Sequence, residues 1–250
     1  MSSGSKGNSL YIESDNHRLL IDAGLSARKL TERMQAIDRD PAELDAVLLT
    51  HEHSDHVRGI GPLARKYKIP VYSTGGTHHA IRHVAGHLPE WKQIRCGETV
   101  EIGDLKIEPY ATPHDATESI AFVVRNGTSK LGHATDLGKV TPFVLEKLQS
   151  SDALLVESNH DVEMLNSGPY PWPLKQRIKS DAGHLSNEAC AEMLASLIHD
   201  RLRCVVLMHL SETNNHPEIA QLTARQVLGD SPVEMILAQQ DQPTRLIPLP

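Results

Sequence analysis

The segment "AVLLTHEHSDHVRGI", residues 46–60, ends an unbroken apolar run and then sets three histidines and two carboxylates in six consecutive positions, His51-Glu52-His53-Ser54-Asp55-His56. An apolar run without polar alternation reads as a strand buried on both faces, which belongs in a parallel sheet covered by helices. The turn beyond it is almost purely imidazole and carboxylate, the side chains that bind divalent cations once deprotonated. A surface turn would mix polar types, so the pattern reads as a metal site at a strand end. The placement recurs: His114, Asp136 and His209 each follow a predicted strand. Donors at four strand ends converge on one sheet edge, where ligands of sheet-based folds collect.

The rest of the chain alternates strand and helix signals. "SLYIES" and "HRLLIDAG" read as a hairpin ending at Asp22-Ala23-Gly24. In "SARKLTERMQAI" Ala27, Leu30, Met34 and Ile37 recur at helical spacing behind a Ser26 cap, and Pro41 then breaks the pattern. A short helix "GPLARKYK", a strand "PVYST" and a helix over residues 77–87 follow. Two strands flank Gly103-Asp104, a hairpin turns at Asn126-Gly127, and "DALLVESNHD" holds a strand ending at Glu157. Pro169, Pro171 and Pro173 exclude regular helix from residues 166–180, which read as a rigid loop or lid. "SNEACAEMLASLIHD" is an amphipathic helix capped by Ser186, "CVVLMHL" a buried strand, "HPEIAQLTARQVLG" a helix with Pro217 in its first turn, and "PVEMILA" the last strand. Two similar runs of this kind predict two sheets between helix layers.

No Ser/Gly/Pro-rich linker divides the 250 residues, so a single domain over 1–250 is expected. No apolar run reaches the ~18 residues of a membrane span. The N-terminus lacks the apolar core of a secretory signal, which makes the cytoplasm the default location. Cys96, Cys190 and Cys204 lack C-x-x-C spacing, which suits a reducing compartment and argues against a thiolate zinc site. A formal charge of −7 is unlike that of a general nucleic-acid binder, so a polyanion must meet a local basic patch. No obligate protein partner is evident.

The order T-H-x-H-x-D-H, then His114, Asp136 and His209, resembles the metallo-β-lactamase superfamily, whose fold is a four-layer αβ/βα sandwich. "SSGSKGNS", "DAGLSARKL", "LVESNHD", "GHLSNEA" and "LMHLSETNN" are similar to the YycJ/WalJ group of bacterial metallohydrolases. That resemblance implies a 5′→3′ DNA exonuclease with two divalent ions, zinc or manganese, and a metal-bridging hydroxide as nucleophile. It also implies an ordered N-terminal turn near the active site. By transfer onto matching positions, His51, His53 and His114 hold one ion, Asp55, His56 and His209 the second, and Asp136 bridges both. Asp55 also counts among the catalytic groups. Two such ions can generate a hydroxide at neutral pH and clamp both oxygens of an in-line phosphoryl displacement. Glu52 stands outside the ligand pattern. Glu157 and His184 are similar in order and context to a glutamate–histidine pair of ribonuclease Z, which implies His184 as general acid oriented by Glu157.

Substrate contacts are sought between Glu157 and His184. Lys175, Arg177 and Lys179 can reach phosphates there, while Tyr170 and Trp172 can stack on bases; a solvated charge run beside a packed loop is the alternative. Arg28, Lys29 and Arg58 would extend a basic track. Ser211, Asn214 and Asn215 either donate to a phosphate or order the loop ahead of Pro217, and His160 is a substrate or ligand-supporting candidate. His78, His79, His83 and His87 read as a solvated helix face, and His17, His199 and His216 as surface or helix-end residues. The competing enzyme class is a thioester or lactone hydrolase of the glyoxalase II type, which shares the seven ligands but needs neither the Glu157/His184 pair nor basic residues beside it. A metal-stabilised binding module would need only a closed site of four ligands.

Overall fold

The computed structural model describes residues 1–250. The chain forms two compact units whose segments interleave: Met1–Ala111, Ala116–Ile120 and Gln239–Pro248 in the first, Thr112–Asp115, Ala121–Ala238 and Leu249–Pro250 in the second.

In the first unit β1 (Leu10–Glu13) and β2 (Arg18–Ile21) form the expected antiparallel hairpin, with Leu10 opposite Ile21. Next to it lie β3 (Ala46–Leu48), β4 (Val71–Ser73) and β5 (Trp91–Gln93), all parallel to β2, in the order β1-β2-β3-β4-β5. Parallel neighbours need crossover connections, and α1 (Ala27–Gln35), α2 (Ser54–Val57), α3 (Ile60–Tyr67) and α4 (Gly75–Ala85) supply them. The Ser26 side chain caps α1 by accepting from the Lys29 N–H, and the helix buries Leu30 and Met34. These two residues join Leu20, Val47, Leu49 and Leu63 in one core. β6 (Val100–Ile102) and β7 (Leu105–Ala111) are antiparallel around Gly103, which has a positive φ of 60°.

In the second unit β8 (Ile120–Asn126) and β9 (Ser129–Ala134) pair antiparallel, with Asn126 opposite Ser129. Gly127, at φ 55°, supplies the positive φ that a two-residue hairpin turn demands. β10 (Ala153–Glu157), β11 (Cys204–Met208) and β12 (Glu234–Leu237) continue in parallel, in the order β12-β11-β10-β9-β8. Both β10 and β11 are buried from end to end, as their continuous apolar sequences require. The connecting helices are α5 (Pro142–Leu148), α6 (Val162–Ser167), α7 (Trp172–Ile178), α8 (Asn187–Leu197) and α9 (Pro217–Leu228), and α8 packs against α9.

One expectation is corrected. Residues 166–180 are not a loop throughout, because α7 runs from Trp172 to Ile178. Pro171 is its N-cap and Pro173 lies in its first turn, where no backbone N–H is needed and a φ near −65° suits the helix. β5 and α5 carried no periodicity that sequence reading picked out.

Leu49, fully buried in the first unit's core, tests the packing. Leu49→Ala should lower stability by about 2–5 kcal/mol in urea denaturation, and an unchanged midpoint would contradict the burial.

Candidate metal-binding clusters

In the first unit the buried strand β3 runs through Leu49 and Thr50 to His51, which is fully buried. His53 then caps α2, which carries Asp55 and His56 in its single turn. The ring of His51 lies 4.6 Å from that of His53 and 4.1 Å from that of His56, centroid to centroid. Asp22, just past β2, organises this group. One of its oxygens accepts the Thr50 N–H (2.9 Å), and the other accepts the Thr50 hydroxyl (2.8 Å) and His56 Nδ1 (2.7 Å). A carboxylate only accepts, so His56 Nδ1 must carry the proton. The Thr50 hydroxyl spends its hydrogen on Asp22 and accepts from His51 Nδ1 at 2.9 Å. Both imidazoles therefore carry their lone pair on Nε2.

Asn8 reaches the same group, its amide nitrogen 3.1 Å from Asp55 Oδ2 and 3.0 Å from His56 Nε2. Its backbone N–H donates to the Asp55 carbonyl at 2.7 Å, and its own carbonyl accepts from Gly24. A Cβ on Gly24 would stand 1.6 Å from the Asp55 carbonyl oxygen, so only glycine fits there. Glu52 turns away from the cluster and accepts from the Thr117 N–H and hydroxyl, both at 2.7 Å.

In the second unit Asp136, Glu157, His184 and His209 offer ligand atoms all within 4.8 Å of one another. Glu157 is fully buried at the end of β10 and accepts four hydrogen bonds. His184 Nδ1 (2.8 Å) and His209 Nδ1 (2.7 Å) share Oε1, while the Leu137 (2.9 Å) and Leu185 (3.2 Å) N–H groups share Oε2. Burial alone would raise the Glu157 carboxyl, but the charge of His184 and the hydrogen bonds from His184 and His209 hold it down to about 2. Burial lowers the His184 imidazole, and the Glu157 carboxylate outweighs it, so the net shift is upward. His114 donates Nδ1–H to the Gly183 carbonyl at 3.0 Å and is shifted downward, chiefly by burial. Gly183 has no room for a side chain, since a Cβ would lie 2.1 Å from the Ile178 carbonyl oxygen.

Asp22, Asp136 and His209 share a backbone signature, with φ of 62°, 55° and 57° directly past their strands. This left-handed region is sparsely populated outside glycine, and residues held there cluster at functional sites. His51, His56, His114 and His209 all turn Nδ1 to a protein oxygen, the support by which metal-bound histidines are usually oriented. This donor set of imidazoles and carboxylates, without thiolates, fits divalent ions of the zinc or manganese kind.

The remaining candidates fall elsewhere in the second unit. Ser211 accepts from the Asn214 N–H, and Asn215 bonds Asn187 and the Ser158 carbonyl, so both side chains order the loop after β11. Asn214 is 1% exposed and its side-chain amide has no hydrogen-bond partner. His160 is buried too, and burial lowers its imidazole to about 4. Lys175 donates to the Asn166 and Gly168 carbonyls, Lys179 to the Asn166 side chain, and Arg177 pairs with Asp115. In the first unit Arg28, Lys29 and Arg58 are exposed, His78 stacks on Trp91 at 3.9 Å, and His79, His83 and His87 are exposed. Asp22 and Asn8 are the residues that sequence reading left without a role. Asp22 obeyed the same strand-end rule as the donors, whereas Asn8 lies in "SSGSKGNS", a segment whose resemblance implied only an ordered turn near the active site.

A model of the beta-lactamase superfamily domain matches residues 17–210. Exodeoxyribonuclease YycJ of Bacillus anthracis is 40% identical, over 92% of this chain and 88% of its own. Exodeoxyribonuclease WalJ of Streptococcus pneumoniae is 41% identical, over 89% of this chain and 84% of its own. Among solved structures, the metallo-beta-lactamase fold protein YhfI of Bacillus subtilis superposes with a TM-score of 0.74 at 18% identity, covering 96% of this chain and 95% of that one.

The Asp22 interaction gives a prediction. Asp22→Ala should retain the fold and weaken metal affinity about 10- to 100-fold, read by competition with a chromophoric chelator; wild-type affinity in the variant would show that the carboxylate orients nothing.

Proposed function

The chain belongs to the beta-lactamase superfamily, in the group that contains the exodeoxyribonucleases YycJ and WalJ, and from that premise we propose that it is a metal-dependent phosphodiesterase that degrades DNA from its 5′ end. The observation that carries the reading is the Glu157 carboxylate, which holds His184 beside the potential ligands Asp136 and His209. A thioester hydrolase has no need of such an acid.

In this reading residues 1–250 act as one domain. His51, His53, His114, Asp55, His56, His209 and Asp136 are the residues that would hold the ions. Zinc and manganese suit this donor set. When bound, the two ions supply a nucleophile at neutral pH and neutralise charge on the displaced oxygens. The chain's own residues do the rest. Asp22 and Thr50 fix the ring planes of His56 and His51. Glu157 keeps His184 protonated at Nδ1 and turns Nε2–H outward, so that Nε2 can hand its proton to the leaving oxygen. Lys175, Arg177 and Lys179 are assigned to the phosphates of the DNA, with Ser211, Asn214 and His160 as further contacts. No helix is long and apolar enough to cross a membrane. Three free cysteines suit a reducing compartment, and the cytoplasm is the proposed location.

The reading is tested by turnover on 5′-phosphorylated double-stranded DNA with manganese or zinc, against S-lactoylglutathione. Release of mononucleotides is expected; thioester cleavage without nuclease activity would overturn the assignment. Two variants divide the labour. Asp136→Ala should abolish turnover and weaken metal binding, while His184→Ala should keep both ions and lower kcat by about 10²- to 10⁴-fold. Metal loss in His184→Ala, or an unchanged rate, would remove it as the acid.

A further inference from the structure

Between α6 and α7 the chain reads Gly168-Pro169-Tyr170-Pro171-Trp172-Pro173, and Trp172 stands 69% exposed at the start of α7. An indole facing solvent is a large apolar surface left unburied. Its backbone is restricted by the flanking prolines, which reduces the entropy lost there when a ligand covers the ring.

The other end of α7 is fastened to the candidate acid. The His184 N–H donates to the Ile178 carbonyl (2.9 Å), the Gly183 N–H to the Ser180 carbonyl (2.9 Å), and the Gly183 carbonyl accepts from His114 (3.0 Å). At ~1.5 Å of rise per residue Trp172 lies about 9 Å along the helix from Ile178. That length equals about two or three nucleotides of a stacked strand, at ~3.4 Å each. The same segment supplies charge. Lys175 Nζ is bonded to the neutral carbonyls of Asn166 (2.8 Å) and Gly168 (2.7 Å), and Lys179 Nζ to the Asn166 side-chain oxygen. Aromatic surface beside cations is the chemistry that grips single-stranded nucleic acid, where every base presents a face to stack on.

We propose that Trp172 is a stacking platform for an unpaired base of the DNA strand, two or three nucleotides from the cleaved phosphate. The assignment rests on the phosphodiesterase reading above and adds a substrate subsite to it.

Two measurements decide it. In the first, Trp172→Ala and Trp172→Phe are compared on a 5′-phosphorylated single-stranded oligonucleotide and on bis(p-nitrophenyl) phosphate, which has no base. The alanine variant should raise KM for the oligonucleotide by roughly 5- to 150-fold with kcat nearly unchanged, phenylalanine should restore most of the loss, and the small diester should be hydrolysed as by the wild type. An unchanged KM, or an equal loss on both substrates, overturns the proposal. The second uses Trp91→Phe, in which Trp172 is the remaining tryptophan of the two. Its fluorescence should be quenched by the oligonucleotide and should recover when the second or third nucleotide is abasic; absence of quenching overturns the proposal. This arm reads binding, so it decides the role of Trp172 even if the wild-type protein leaves DNA intact, a result that would sink the exonuclease reading alone.

Discussion

Glu157 is the constraint around which the second unit is arranged. A carboxylate taken wholly out of water costs several kcal/mol unless its lone pairs are filled, and here four donors fill them. They come from the chain after β9, the loop ahead of α8 and the end of β11, so one side chain fixes three segments distant in sequence. Because His184 and His209 share a single oxygen, their rings are held 5.2 Å apart, centroid to centroid. The position of the His184 ring is thereby tied to that of a candidate metal ligand.

Asp22, also a buried carboxylate, does the corresponding work in the first unit. One of its oxygens binds one histidine directly and a second through the Thr50 hydroxyl, while the other accepts the Thr50 N–H. Asp22, Asp136 and His209 all turn through left-handed backbone as they leave their strands, at a cost of about 1–3 kcal/mol each. The tilt of the chain at these points directs side chains that an extended strand would send to either face of the sheet. At Asp22 and His209 the strain is held in place by hydrogen bonds on the same residues, to Thr50 and His56 and to Asn159 and Glu157, which apolar residues could not make.

The donors were legible in the sequence because each lies at or just past the end of a predicted strand, a signal that depends only on local pattern. His51, His114, Asp136, His209 and Glu157 all follow it, and so does Asp22. The loop that organises α8 was not legible. Ser158, Asn187 and Asn215 form a buried cluster in which Ser158 donates to Asn187 at 2.6 Å and the two amides bond each other at 2.9 Å. Amides and hydroxyls at the surface look identical in sequence, and only tertiary contact separates the two cases. α7 departs from the expected loop for a different reason: a proline marks a helix boundary only by its position, and one in the first turn breaks no hydrogen bond.

That correction changes what the basic segment means. A loose lid would place its cations wherever the chain wandered, but a helix bonded through Ile178 to His184 holds them in register with that imidazole. The three cations are not equivalent. Arg177 is paired with the Asp115 carboxylate and adds little net field, whereas Lys175 and Lys179 are anchored by uncharged oxygens and keep theirs. In a chain of formal charge −7, such local positive charge is what allows a polyanion to approach at all. Neutral anchoring is therefore the arrangement by which an acidic protein of the proposed function could meet an acidic substrate: it fixes a lysine in space without cancelling its charge.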